Sequence, residues 1–177
     1  MIATLLAAAL ELVSLDQRTA ECQGEPVRGR YTNYAEGFSV SVPRPYVGLR
    51  PLQSGPERGI SIALTPDCSA FIVVLGEADS LDGEYPQVGL DMSLRVAKDV
   101  DPAATVWRHR ARLGSMAAVA ATVTSPESQE LEETVVALRP GGGLVYTAEL
   151  VTTVARQRED RATFAQVLRS VRLEPWR

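Results

Sequence analysis

The sequence predicts an α+β fold in which an antiparallel sheet is covered by helices. Three observations lead to this fold class. Short segments with alternating apolar and polar residues outnumber helical segments, most connections are of hairpin length, and the two helical segments are amphipathic. With 177 residues, of which 45% are hydrophobic and 23% charged, the chain has the size and composition of one globular domain.

Three strands are predicted in the first half of the chain. Phe38–Val42 and Ile60–Leu64 alternate between apolar and polar residues, which is typical of half-buried strands. Ala70–Leu75 is a continuous apolar run, which suits a strand covered on both faces. Because the connections between them are tight, we expect these strands to form an antiparallel meander.

Two amphipathic helices are predicted. The first begins at Pro86 and ends before Asp101-Pro102, because a residue that precedes proline is pushed out of helical geometry. The second runs from about Glu159 to Val171, with Asp160 as an N-cap or first-turn acid. The expected apolar stripe of the first helix is Val88, Met92, Val96 and Val100, widened by Leu94 and Ala97. That of the second helix is Phe164, Val167, Leu168 and Val171.

Four more strands are predicted between the helices: Thr105–Leu113, Met116–Thr124, Leu131–Leu138 and Leu144–Thr153. Gly114-Ser115 is interpreted as a turn. The glycine run Gly141–Gly143 is interpreted as a hairpin connection. A phosphate-binding loop would lead into a helix and carry a lysine, whereas here a strand follows and no lysine is near.

The composition excludes several classes of function. The formal net charge of −4 argues against a general nucleic-acid binder. No stretch reaches the roughly 18 apolar residues that a membrane-spanning helix needs. One histidine and two cysteines leave few metal or nucleophile chemistries, so we expect no cofactor and no metal. The basic residues are 17 arginines and a single lysine, Lys98, a bias that by itself indicates no binding site.

Residues 1–21 permit two interpretations, and residues 22–177 are taken as a single globular domain. The apolar block Ile2–Leu10 resembles the core of a secretory signal, but no basic residue precedes it, Glu11 interrupts it and no clean cleavage site follows. A degenerate or truncated signal would account for these features. An N-terminal amphipathic helix is the alternative.

Cys22 and Cys68 are predicted to form a disulfide if the protein is exported. Both lie among turn-forming residues, and an even pair in an exported protein indicates one bridge. The alternative is two free buried thiols in a cytoplasmic protein. The wide spacing of the two residues matches neither a redox CxxC motif nor a zinc site.

The strand Thr105–Leu113 carries the candidate binding and catalytic residues. Arg108, Arg110 and Arg112 share one face of it, while Trp107 and His109 share the other. The three arginines would hold an acidic partner or anionic ligand, or would form cross-strand ion pairs of little energetic weight with the glutamates around position 132.

His109 is the residue that any proton-transfer chemistry near neutral pH would have to use. We expect it to be a core or edge histidine on a packed strand face. No serine of the sequence shows an activating context, so a hydrolase that uses His109 is the remote alternative.

Two segments resemble the PsbP-like and DcrB-like proteins, which share their fold with a Ran-binding nuclear import factor. In residues 31–43, Tyr31 and then Gly37-Phe38-Ser39-Val40-Ser41-Val42-Pro43 are similar to the family's opening strand. In residues 160–173, the spacing of Phe164, Val167-Leu168 and Ser170-Val171 resembles its terminal helix. The resemblance implies an α/β/α sandwich and a binding, assembly or chaperone role, and it transfers no catalytic residue.

The expected function is therefore that of a small, non-catalytic bacterial protein that binds a protein partner or a small ligand. We expect it to be periplasmic or extracellular. The alternative is a cytoplasmic effector chaperone or an immunity-type interaction protein. The sequence predicts neither a nucleic-acid partner nor a membrane span, and it does not predict the oligomeric state.

Overall fold

The computed structural model describes residues 24–50, 59–79 and 85–175. For Tyr85 and Ser93 it describes the backbone alone. Eleven strands and two helices lie within these residues. The strands are β1 (Glu25–Val27), β2 (Gly29–Asn33), β3 (Phe38–Val42), β4 (Val47–Arg50), β5 (Gly59–Ala63), β6 (Phe71–Ala78), β7 (Thr105–Leu113), β8 (Met116–Ser125), β9 (Glu130–Leu138), β10 (Leu144–Thr153) and β11 (Arg172–Leu173). The helices are α1 (Tyr85–Val100) and α2 (Gln157–Ser170).

Eight strands form one large sheet in the order β1-β4-β5-β6-β10-β9-β8-β7. Every neighbouring pair in it is antiparallel. The α+β class with an antiparallel sheet is thereby confirmed. The hairpin between β9 and β10 is confirmed too, since Gly141, Gly142 and Gly143 all have positive φ and the Arg139 amide donates to the carbonyl of Leu144.

A second sheet of three strands, in the order β11-β3-β2, lies against one face of the large sheet together with α2. The predicted stripe of α2 is confirmed, because Phe164, Val167 and Val171 are buried in one cluster with Phe38 and Val40 of the small sheet. The same cluster includes Ile60 and Ile72, Tyr146 and Leu150, whose side chains point inward from the large sheet. The main core therefore lies between the large sheet and a mixed layer of strand and helix.

The helix α1 packs on the opposite face, over β8 and β9. The expected stripe of α1 is right only in part, because its Leu94 is buried but its Val88 and Val100 are exposed. Among the described side chains of the helix, the two buried ones are Leu94 and Leu90, and the expected stripe did not include Leu90. They contact Ala121 and the partly buried Val119 and Val123 of β8. Two leucines at i and i+4 remove more apolar surface from water than valines do, so the helix turns this narrower stripe toward the sheet.

The connectivity of the first half also differs from the prediction. The expected meander is wrong because β3 belongs to the small sheet, whereas β5 and β6 pair in the large one. The expected α/β/α sandwich, with a sheet covered by helices alone, is not confirmed, because α2 shares its layer with the three strands of the small sheet.

A buried acid fixes the first turn of α2. Asp160 is inaccessible to solvent, and it accepts hydrogen bonds from the Thr152 hydroxyl of β10 and from Nε and Nη2 of Arg156 at 3.1 and 2.9 Å. The hydrogen bond to Asp160 raises the pKa of Arg156. The predicted first-turn acid is thus confirmed, and the bond to Thr152 attaches the helix to the large sheet.

Tyr146 and Arg139 connect the large sheet to the turn between β2 and β3. The Tyr146 hydroxyl donates to the carbonyl of Glu36 at 2.8 Å and accepts from Arg139 Nη1 at 2.9 Å. Burial raises the pKa of Tyr146, so this phenol stays protonated at neutral pH. Neither helix of the described ranges is long and apolar enough to cross a membrane.

Candidate binding surface

The strand β7 lies at one end of the eight-stranded sheet. It pairs with β8 along its whole length, from Thr105 opposite Thr124 to Leu113 opposite Met116. The turn at Gly114 that joins the two strands is the one the sequence predicts. Since side chains alternate along a strand, the register confirms that Trp107 and His109 share the face toward α2, while the arginines point to the face of α1.

Arg108, Arg110 and Arg112, the arginine stripe, differ in their contacts. Arg108 forms an ion pair with Asp91 of α1, and both side chains are about half exposed. Arg112 donates from Nη2 to the carbonyl of Ser115 at 2.6 Å, across the hairpin turn. Arg110, in the middle, is exposed and has no hydrogen bond or ion pair with any described residue. The stripe therefore presents positive charge that its own surroundings neutralise only in part.

The expected pairing of this stripe with the glutamates of the neighbouring region is wrong. The strand β8 lies between β7 and β9, so Glu130 and Glu132 are not direct neighbours of the arginines. Glu133 points to the opposite face, where Arg161 of α2 donates to it from Nε at 2.8 Å. Sequence alternation correctly predicted which residues of β7 share a face, but it could not predict the order of the strands.

Trp107 of β7 is a large aromatic residue that is 62% exposed. Its ring stacks on that of His109, with 4.3 Å between the centroids and an interplanar angle of 18°. The expectation of a packed face is therefore right only toward Leu113, which is fully buried, and wrong toward Trp107. The face of β7 passes from core to surface along the strand: Leu113 is buried, His109 is partly buried and Trp107 is exposed.

Polar residues of β8, β9 and α2 lie next to His109, the more buried member of this aromatic pair. Nε2 of His109 lies 3.7 Å from Oε1 of Glu133, which is longer than a hydrogen bond. Arg161 bridges Glu133 and the Thr122 hydroxyl, the latter at 2.9 Å from Nη2. No sequence signal pointed to Arg161, because it lies on α2, more than 50 positions after Trp107.

This arrangement supplies little for catalysis. The acid next to His109 already accepts a hydrogen bond from Arg161, and the buried Nδ1 of His109 has no hydrogen-bond partner among the described residues. A general base requires a partner that orients it and a nucleophile within reach. Among the residues that the structure describes, no cluster of histidine, cysteine and acid side chains could hold a metal ion.

Of the two cysteines, Cys68 lies among the described residues. Cys22 and all of residues 1–21 lie outside the described residues, as do residues 51–58 between β4 and β5. Cys68 is buried in the turn between β5 and β6, with a φ of 55°. The pairing of Cys22 with Cys68 stays a prediction.

Comparison with known proteins gives a fold but no close relative. No protein-family model and no curated protein sequence matches the chain. Among solved structures, cyanobacterial PsbP (CyanoP) from Synechocystis superposes with a TM-score of 0.57 at 15% identity, over 86% of this chain and 96% of that one. The matches to PA94 of Pseudomonas aeruginosa, a protein of unknown function, and to LpqN of Mycobacterium tuberculosis have TM-scores of 0.49 and 0.43.

These two further matches cover 86% of this chain each, 99% and 91% of the other chains, and share 18% and 15% identity. Their scores are too low to carry an argument. The CyanoP superposition agrees with the family that residues 31–43 and 160–173 resemble in sequence. The chain has the PsbP-like fold.

Proposed function

We propose that this protein is a non-catalytic binding or assembly protein that engages a protein partner through β7. The observation that carries the proposal is the concentration of binding chemistry on one strand. A chain with a net charge of −4 places three arginines on the nine residues of β7, beside a tryptophan that is 62% exposed. Exposed tryptophan and arginine are the residue types that most often dominate the energy of protein interfaces.

Two further points support a binding role over an enzymatic one. Exposing a tryptophan has a cost in water that a protein partner would remove by covering the ring. The sequence resemblance to PsbP-like proteins implies a binding or assembly role, and the fold similarity to CyanoP supports that resemblance. Export to the periplasm or the cell exterior is part of the same proposal. The oxidation state of the two cysteines tests this part, because disulfides persist in oxidising compartments.

Site-specific photo-crosslinking tests the proposal. Benzoylphenylalanine replaces Trp107 in one variant and Tyr34, an exposed aromatic residue in the turn before β3, in a matched control. After irradiation in the cell of origin, we expect one defined adduct from position 107 that is competed by excess unlabelled protein, and none from position 34. The absence of any competed adduct from position 107, or the same adducts from both positions, would contradict the proposal.

A further inference from the structure

We infer that an extended, acidic segment of the partner protein adds to β7 as a ninth strand of the large sheet, an inference that rests on the proposed function. The two ends of the sheet differ in a way that points to β7. At the other end, β1 has three residues and contains Pro26, and both features discourage further pairing. By contrast, β7 has nine residues and no proline.

The backbone of β7 is suited to strand addition. An edge strand presents a row of N–H and C=O groups that its own sheet does not use. Within the described residues, β8 is the only strand that pairs with β7. Peptide binding by strand addition takes its affinity from such main-chain groups and its specificity from the alternating side chains on both faces.

The charges determine which segment fits. On an added strand, side chains on one face repeat every second residue, with the same spacing of roughly 7 Å as the arginine stripe. Carboxylates at alternate positions would therefore lie opposite Arg108, Arg110 and Arg112, and guanidinium groups bind carboxylates with well-directed hydrogen bonds. Arg110, which has no ion-pair partner in the described part of the chain, is the central contact.

A second copy of this chain is a poor occupant of the same edge. Two β7 strands paired antiparallel about Arg110 would place Arg110 opposite Arg110 and Arg108 opposite Arg112. Like charges directly opposite each other destabilise a strand pair. The arginines thus discourage self-association and at the same time favour an acidic strand.

The other face of β7 would select the residues between the acids. There Trp107 stacks on His109, and the exposed indole offers an apolar surface next to the edge. A partner residue opposite Trp107 would be apolar or aromatic, since such pairs stabilise neighbouring strands. The inferred recognition pattern is therefore a segment in which acids alternate with apolar or β-branched residues.

Fluorescence anisotropy with labelled nine-residue peptides tests this inference. The probe alternates glutamate with valine and threonine, and the control peptide has glutamine in place of each glutamate. We expect the probe to bind more tightly than the control. Arg110→Glu should weaken its binding about two- to thirtyfold, because the cross-strand pair at position 110 turns from attractive to repulsive. Arg169→Glu, at an exposed position of α2, is the charge-matched variant and should leave binding unchanged.

A pair of N-methylated probes separates strand addition from simple charge attraction. One probe is methylated at the glutamates, the other at the intervening residues. Because only alternate amides of an added strand face β7, we expect one of the two probes to lose binding and the other to keep it. Equal binding of both, or no loss with Arg110→Glu, would overturn the inference. So would preferential, Arg110-dependent binding of an oligonucleotide, or a dimer in sedimentation that Arg110→Glu alters.

The peptide experiment and the crosslinking experiment test the two proposals separately. If position 107 captures a partner but no acidic probe binds, strand addition by an acidic segment is wrong and the proposed function stands. If position 107 captures nothing, the proposed function is wrong, whatever the peptides do.

Discussion

Glu174, just after β11, holds the small sheet together through two donors. The Ser39 hydroxyl of β3 donates to its Oε1 at 2.6 Å, and Nη2 of Arg30 in β2 donates to the same oxygen at 2.8 Å. These bonds favour the charged carboxylate, first through Ser39 and then through Arg30, and they lower the pKa of Glu174 from its ordinary value of 4.5. One side chain thereby links the ends of three strands.

The lowered pKa predicts an acid-sensitive contribution to stability. A carboxyl whose pKa is lower in the folded than in the unfolded state stabilises the fold above the unfolded value and loses this effect as the pH falls through the folded value. We therefore expect wild type to be more stable than Glu174→Gln at pH 6 to 7, with the difference shrinking below about pH 4.5. Urea unfolding at a series of pH values measures it.

Arg30→Gln serves as the control for this prediction. It removes one donor to Glu174 and leaves the hydrogen bond from Ser39. In the Arg30→Gln background, the pH-dependent difference in stability between Glu174 and Gln at position 174 should therefore be smaller than in wild type, but not zero. If wild type and Glu174→Gln lose stability in parallel through the acid range, the carboxylate contributes nothing specific to the small sheet.

At the scale of elements, the turn of the β7–β8 hairpin is hydrogen-bonded to the C-terminal end of α2. Gly114 has a φ of 59°, and its amide donates to the carbonyl of Leu168 at 2.8 Å. A Cβ at this position would lie 2.1 Å from the carbonyl oxygen of Val171, which is backbone and cannot rotate away. The glycine is therefore needed both for its conformation and for the close approach of two chain segments.

Gly114→Ala should consequently destabilise the fold by about 3 kcal/mol, the sum of a left-handed conformation, a backbone clash and a weakened hydrogen bond. Gly142→Ala is the matched control. Its φ is 80°, but nothing lies within 4 Å of the added Cβ, so the expected cost is about 1 kcal/mol. If urea unfolding showed the same loss in free energy of unfolding for the two variants, the close approach of Val171 would not contribute to the cost of Gly114→Ala.

At the scale of the whole molecule, the sequence predicted those elements that carry a long local pattern. The alternation of β7 fixed which residues share a face, and the stripe around Phe164 identified the inner side of α2. Four short strands were missed: β1, β2, β4 and β11. The strand β2 pairs with the next strand, β3, but β1 pairs with β4, and β11 pairs with β3 across more than 130 positions. No local period records such pairings.

The candidate surface shows the same limit. The faces of the arginines and of Trp107 follow from alternation alone, and so they were predictable. That β7 lies at the edge of the sheet depends on the order β9-β8-β7, which only the long-range pairing determines. Likewise, the contact of Arg161 with Glu133 joins α2 to β9, and neither segment's sequence specifies it.

The predicted bridge between Cys22 and Cys68 concerns the whole chain, because it would close a large loop around the first strands. On the chain-entropy account, a bridge of this span stabilises the fold by roughly 4 kcal/mol by restricting the unfolded chain. In protein isolated from its own cell without reductant and without exposure to air, we expect no reactive thiol after denaturation and two after reduction. We also expect reduction to lower the free energy of unfolding of the wild type by roughly 4 kcal/mol.

The double variant Cys22→Ser with Cys68→Ser separates the bridge from other effects of the reductant. Its unfolding should be insensitive to reduction and resemble that of the reduced wild type. Two titratable thiols in the denatured, unreduced protein would contradict the prediction. Because disulfides persist in oxidising compartments, that result would favour the cytoplasmic alternative over export, while the proposed binding at β7 would be unaffected.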